Sequence, residues 1–193
     1  MKVEYIKNNS NKILDGPFLL KPKIFNDDRG FFMESWNSVE FNNLVKEDIY
    51  FVQDNHSKSK QHVLRGLHYQ IPPNDQGKLI KCVYGKIFDV IVDLRRNSKD
   101  FLSWAGIFLD SNNHEQIWIP SGFAHGFLTI SNTAEIIYKT TKFWSKEHER
   151  SIIWNDPSLD IKWPLHDNSP FISIKDKEAS LLSNISEYDF FCD

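Results

Sequence analysis

Short apolar runs rich in β-branched and aromatic residues alternate along this chain with clusters of Asn, Asp, Gly, Pro and Ser, the pattern of many short strands joined by turns. It predicts strands over 18–24, 50–57, 63–70, 78–84, 86–94, 104–109, 116–119, 126–129 and 134–141. Helical signals are few. Asn37 stands three residues ahead of Glu40 and opens the run SVEFNNLV, so one short capped helix is expected there. A second helix is expected over 177–182. Gly85, between Tyr84 and Lys86, predicts a tight hairpin joining two strands, because glycine reaches positive φ without strain. No long Gly/Ser/Pro linker divides the chain and no internal repeat is evident, which predicts a single domain over 1–193.

These elements together predict an all-β fold: a cupin-like jelly-roll β-barrel with a few short helices, its interior receiving every second side chain of each strand. Its core is expected over about 18–165, with the segment 166–193 packing near the site. Composition agrees, since 40% hydrophobic and 25% charged residues are ordinary for a globular chain of 193 residues. The 15 Phe and 6 Trp suit a sheet protein with a well-filled core and also leave rings to stack on a flat ligand. A net charge of −3 draws in neither nucleic acid nor an anionic membrane, so phosphate binding would need a local basic cluster. Cys82 and Cys192 are too few and too far apart for a disulfide framework or a zinc site, and they suit a reducing cytoplasm. No signal-peptide run and no span of about 18 apolar residues is present, so the expectation is a soluble cytoplasmic protein without a membrane partner.

The densest polar stretch runs Gln53-Asp54-Asn55-His56 and then from His62 to Gln70 through Arg65 and His68. In a regular strand His62 and His68 would share the face opposite Arg65, and a bulge at Gly66 would change that relation. Arg65, His68, Lys78 and His125 recur in neighbouring strand-like segments. Four such side chains in one barrel mouth would be costly to bury without a polar ligand. A metal is not expected. The chain has no HxH pair, His68 is followed by Tyr69, Gln70, Ile71, Pro72 and Pro73 rather than by a carboxylate, and the Lys78 ammonium would oppose a cation. The block from Trp118 to Phe127 reads as a turn that returns into a strand with His125 at its entrance; alone, that block fits a turn with a capping histidine equally well. Tyr138 opens a plausible inward-facing strand, and Glu149 and then Lys175-Asp176 follow.

The segments DDRGFFMESW (27–36), VQDNHS (52–57), VLRGLHYQ (63–70), QGKLIKCVYGKIFDVIVDLR (76–95), WIPSGFAHGF (118–127), YKTTKFW (138–144) and IIWNDPSLDIKWP (152–164) occur in one order over most of the chain. Together they resemble the dTDP-4-dehydrorhamnose 3,5-epimerase family of dTDP-L-rhamnose biosynthesis. The resemblance implies an isomerase without metal or cofactor, and a homodimer in which strands are exchanged near the site. It further implies that His68 is the catalytic base, Asp176 the carboxylate that orients it, Tyr138 the proton donor on the opposite face and Lys78 the group near the developing enolate oxygen. His125 matches a sugar-site residue. Arg29, Glu34, Gln53, Asn55, Arg65, Glu149 and Lys175 match positions that hold nucleotide, diphosphate or sugar. The chain departs from the family at 7–12, which is longer and richer in Asn, and at Trp144, where the family often has Tyr.

The chemistry fits these residue types. Inverting a sugar carbon needs a proton removed beside a carbonyl and one returned to the other face, and a 4-keto sugar activates both C3 and C5. A neutral histidine with a carboxylate partner is a suitable base near pH 7. The absence of a GxGxxG fingerprint or a P-loop agrees with a reaction that needs no redox cofactor. Three alternatives stay open on the residues alone: a mono-epimerase or an enzyme for another nucleotide sugar, a non-catalytic nucleotide-sugar-binding cupin, and, less well supported, a metal-dependent cupin oxygenase.

Overall fold

The computed structural model describes residues 1–165 and 168–191; Cys192 and positions 166, 167 and 193 of the expected C-terminal segment lie outside the described residues. The strands, in chain order, begin with β1 (Lys2–Lys7), β2 (Ile13–Lys21), β3 (Ile24–Asp27), β4 (Gly30–Met33), β5 (Gln53–Lys60), β6 (Leu64–Gln70) and β7 (Lys78–Tyr84). They continue with β8 (Lys86–Asp93), β9 (Trp104–Asp110), β10 (Gln116–Ile119), β11 (Phe123–Thr129), β12 (Thr133–Thr140) and β13 (Glu149–Ser151). Helix α1 (Ser38–Val45) lies between β4 and β5, and α2 (Ile174–Lys177) follows the last strand.

Two antiparallel sheets face each other as a jelly-roll barrel. The first has the order β1-β2-β10-β7-β12-β5 and the second β13-β6-β11-β8-β9, while β3 and β4 form a separate hairpin. Between the sheets lie Ile80, Ile87, Ile91, Ile117, Ile119, Phe127 and Ile136, supplied by alternate positions of the inner strands. Both outer faces are covered as well. Phe41 of α1 is fully buried on the first sheet, its ring 4.9 Å from that of Trp36 and 5.1 Å from that of Trp118. On the second sheet, Leu67, Val90, Val92 and Leu128 pack against Leu159, Leu182 and Phe191 of the chain beyond β13. Burial on both faces explains why β8 and β11 read as near-continuous apolar runs rather than as alternating strands.

Most predicted strands are present with shifted ends, and α1 forms where the Asn37 cap placed it, the Asn37 side chain accepting from the Glu40 amide. The strand expected over 18–24 instead runs Ile13–Lys21, because Leu14 and Phe18 to Leu20 are all buried. Strands β1, β3, β4 and β13 were not expected. They are short, exposed or polar, and their partners rather than their own composition define them. The helix expected over 177–182 does not form there. Ser173 caps α2 by accepting from the Asp176 amide, and Ser180 is then drawn into backbone pairing with Ile152 and Ile153.

Gly85 has the anticipated positive φ, 76°, but it does not close a hairpin. Strands β7 and β8 lie in different sheets, so Gly85 turns the corner between them. The other decisive glycine is Gly66. Along the β6–β11 pair, His68 faces His125 while Arg65 faces Phe127, so three steps on β6 match two on β11. This bulge reverses the regular alternation and brings Arg65 and His68 to the same cavity. His62, which a regular strand would place beside His68, sits in the preceding turn with φ 61°.

At Gly66, φ is 123° and a Cβ would stand 2.5 Å from the Gly126 Cα and 2.8 Å from the His125 carbonyl oxygen. Gly66→Ala is therefore expected to destabilise the fold by about 2–4 kcal/mol, read by denaturant unfolding. An unfolding midpoint equal to that of the parent protein would contradict this account of the bulge.

Candidate active site

A cavity of ≈ 560 Å³ opens between the two sheets. The first sheet contributes Ser57, Lys78, Ile136 and Tyr138, the second Arg65, His68, His125 and Phe127, and the segment from Phe171 to Asp176 closes one side. A smaller pocket of ≈ 150 Å³ shares His68, Lys78 and Tyr138 with it and adds Gln53, Asn55, Trp144 and Glu149. The alternating burial of β5 turns Gln53, Asn55 and Ser57 inward, as a period of two requires.

His68 and Asp176 are 108 positions apart in the chain, yet His68 Nε2 lies 2.6 Å from Asp176 Oδ1. Asp176 is buried on α2, where Ser173 fixes the first turn. Burial pushes the Asp176 carboxyl up, but the hydrogen bond and charge of His68, with the Ser173 hydroxyl and the Gly66 amide, outweigh that and hold it below its ordinary value. Asp176 is thus ionised at neutral pH. An ionised partner places the proton of the neutral imidazole on Nε2, so Nδ1 keeps a lone pair that can accept a proton.

Tyr138 stands on the opposite sheet. Burial raises its phenol above the ordinary value, which Glu149 reinforces and Arg65 opposes, so it keeps its proton at neutral pH. Lys78 lies on the adjoining strand, paired with Thr140 two residues from Tyr138. Desolvation lowers its ammonium to about 8, while the charges of Glu149 and Asp89 act in the other direction. A base, a phenolic acid on the facing wall and a cation close to its titration point therefore converge on one space.

A second histidine–carboxylate pair lies deeper. His125 Nε2 is 2.8 Å from Asp89 Oδ2, and Asp89 is fully buried. At the mouth, Lys175 Nζ pairs with Glu149 at 2.6 Å, and Arg65 donates to the Ser59 hydroxyl at 3.1 Å. The Gln53 amide donates to Asn55 Oδ1 at 2.8 Å, and Gln53 Oε1 accepts from the Trp144 amide at 3.2 Å. Among the described residues no group of three or more His, Cys, Asp and Glu side chains is placed to hold a metal ion.

Ten of the twelve residues singled out from the sequence thus line one of these two adjoining spaces. The other two, Arg29 and Glu34, do not. Arg29 sits in the turn between β3 and β4, its side chain 90% exposed and paired with Asp27 at 2.7 Å. Glu34 accepts from the Asn37 amide at 2.6 Å on the surface. The residues that sequence reasoning missed are Asp89, Ser57 and Ser173. Asp89 did leave a signal, a lone carboxylate inside the apolar run of β8; the two serines left none.

Comparison with known proteins agrees with this geometry. A family model described as dTDP-4-dehydrorhamnose 3,5-epimerase matches residues 11–184. The chain is similar to the enzyme of that name from Shigella flexneri, 52% identical over 158 residues covering 82% of this chain and 86% of that one. It is also similar to the one from Pseudomonas aeruginosa, 52% identical over 166 residues covering 86% and 91%. In structure it is similar to the dTDP-6-deoxy-D-glucose-3,5-epimerase of Legionella pneumophila in complex with dTDP-4-keto-L-rhamnose. That match has a TM-score of 0.91 and 41% identity over 100% of this chain and 99% of the other.

The buried ammonium has a consequence for stability. A lysine whose native value lies near 8 and whose unfolded value is 10.5 destabilises the fold wherever it is charged, and the deficit disappears as pH rises from about 8 to 10.5. Lys78→Met is expected to raise the unfolding free energy at pH 7 by on the order of 2 kcal/mol, with the gain shrinking above pH 8. Denaturant unfolding at several pH values checks both the sign and the window.

Proposed function

We propose that this chain, which belongs to the dTDP-4-dehydrorhamnose 3,5-epimerase family, converts dTDP-4-dehydro-6-deoxy-D-glucose into dTDP-4-dehydro-L-rhamnose by inverting C3 and C5. The observation that carries the reading is the opposition of His68 with its Asp176 on one sheet to Tyr138 on the other, across a cavity that also holds Lys78.

The C4 ketone acidifies the hydrogens on C3 and C5. His68 Nδ1 takes one of them, and the electron pair of the broken C–H bond moves onto the ketone oxygen as an enolate. Lys78 offsets the charge that develops there. The Tyr138 phenol returns a proton to the opposite face of the same carbon, and solvent then resets both side chains. Carbon is neither oxidised nor reduced over the cycle, so the scheme calls on no redox cofactor. Arg65 and Lys175 are suited to the two phosphates, and Trp144, half exposed at the rim beside Gln53 and Asn55, to stacking on the base. The chain acts as one domain whose C-terminal segment supplies Lys175 and Asp176, and the free, buried Cys82 suits a cytoplasmic setting.

Arg29 and Glu34 enter this scheme through a second copy of the chain. The β3–β4 hairpin that carries Arg29 exposes Phe25, Phe31 and Phe32, the last 71% accessible, which is the composition of a contact surface. In a homodimer with exchanged strands, each hairpin would reach the partner's cavity. Mixing Arg29→Ala with His68→Ala subunits is then expected to restore up to roughly a quarter of the parental sites; mixtures with only the sum of the two residual activities would show that each site is built from one chain.

Four outcomes test the chemistry. Incubation with dTDP-4-dehydro-6-deoxy-D-glucose in D₂O should place deuterium at both C3 and C5; label at one carbon would indicate a mono-epimerase, and binding without label a recognition module. His68→Ala should lower kcat by about 10²–10⁴-fold, and Tyr138→Phe should impair inversion more than exchange at C3. Activity should also fall as pH rises through about 8, where Lys78 loses its charge. A rate unchanged to pH 9.5 would remove Lys78 from its role.

A further inference from the structure

Asp89 does more than the hydrogen bond it makes requires. It sits on the inward face of β8 between Ile87 and Ile91 and is 0% exposed. Oδ2 meets His125 Nε2 at 2.8 Å, but the other oxygen, Oδ1, is buried without a hydrogen-bond partner. Its neighbour His125 stands directly across β11 from His68 on β6, so the two imidazoles, each tied to a carboxylate through Nε2, lie side by side.

A carboxylate held in the barrel interior by one hydrogen bond, with a bare oxygen, is a costly way to orient a histidine. A neutral Asn would offer His125 the same acceptor without the cost of burying a charge. What Asp89 adds is therefore its charge, and we propose that Asp89 is a positioning residue that orients His125 through one oxygen and keeps Lys78 an ammonium through its charge. The proposal rests on the reading of Lys78 as the group that stabilises the enolate.

The surroundings of Lys78 support it. Beside Asp89 from β8, the ionisable groups around the cavity are Glu149 from β13, His68, Arg65 and Tyr69 from β6, His125 from β11, Tyr138 from β12, and Lys175 and Asp176 from the closing segment, with Cys82 further along Lys78's own strand. Two carboxylates favour the charged lysine, Glu149 and Asp89. Glu149 is already engaged by Lys175 at 2.6 Å and lies towards the mouth. Asp176 is engaged by His68. Asp89 is the carboxylate that solvent does not reach, and charges interact most strongly where the surroundings are least polarisable.

The test is Asp89→Asn in the full chain, with two readouts. The titration of Lys78 is followed by NMR at its ε-carbon without substrate, and turnover is followed against pH. The variant is expected to fold with an unfolding temperature no lower than the parent's. Its Lys78 should titrate about one pH unit lower or more, and kcat at pH 9 should fall about 10-fold or more with KM changed less than about threefold. His125→Asn retains the Asp89 charge and is expected to keep the lysine titration near 8 although turnover drops. Lys78 still titrating near 8 in Asp89→Asn, a downward move of equal size in His125→Asn, or an Asp89→Asn chain that fails to fold would each overturn the proposal. Should the parental protein not epimerise the sugar, the enzymatic reading fails, and the lysine titration still decides the role of Asp89.

Discussion

The site hangs on the close approach of two backbones. Where β6 crosses β11, Gly66 and Gly126 face each other so closely that a Cβ on either would meet the other strand's main chain. That contact accommodates the extra residue of the bulge, and the bulge turns Arg65 and His68 towards the same cavity. With regular alternation, one of them would point into the apolar layer beneath the C-terminal segment, among Leu64, Leu67 and Tyr69. The same stretch of β6 is where Asp176 arrives, its carboxylate receiving both the His68 ring and the Gly66 amide. His68, its Asp176 partner and Arg65 thus depend on one local backbone feature.

Electrostatics then sets what the cavity can hold. The chain carries a net charge of −3, yet the cavity gathers Arg65, Lys78 and Lys175. Carboxylates from separate elements hold Lys175 and the two histidines in place: Asp176 from α2, Glu149 from β13 and Asp89 from β8. The Lys175–Glu149 pair lies at the mouth, where the half-exposed lysine is partly screened by solvent. The deep groups behave differently. Burial drives the Lys78 ammonium down and the Tyr138 phenol up, so the proton affinities of two neighbouring groups, close together in water, move apart. A cation near its titration point and a phenol that holds its proton are the forms an enolate reaction requires.

The parts of this arrangement that showed in the sequence are those whose cause is local. The apolar strands, the Asn37-capped helix and the cluster of inward polar residues on β5 and β6 follow from alternation and capping within a few residues of each feature. Where the cause lies elsewhere in the chain, the reading failed. Gly85 has the predicted positive φ, but whether it joins paired strands or turns between sheets depends on β10, β11 and β12, whose pairing no local pattern encodes. The second helix slipped towards the N-terminus because Ser180 finds a backbone partner in the loop after β13. Arg29 and Glu34 carry the motif but not the location, since in this chain both are exposed and paired with neighbours outside the cavity. Asp89 was passed over because a buried acid in an apolar run looks like noise until its partner on β11 is known.

That last case shows why the costly elements of the fold collect in one place. The lowered Lys78 and the bare oxygen of Asp89 both work against stability, and both lie in or against the same cavity. Packing compensates from both sides, with Phe41 and its aromatic ring cluster over the first sheet and the C-terminal apolar layer over the second. Those layers are remote from the cavity and form from ordinary hydrophobic contacts, so they tolerate an interior that is charged at its centre. A barrel covered on both outer faces can hold such an interior rigidly. An uncovered one, with the same residues, would relax by admitting water to Asp89 and Lys78, and the difference in proton affinity on which the chemistry depends would be lost.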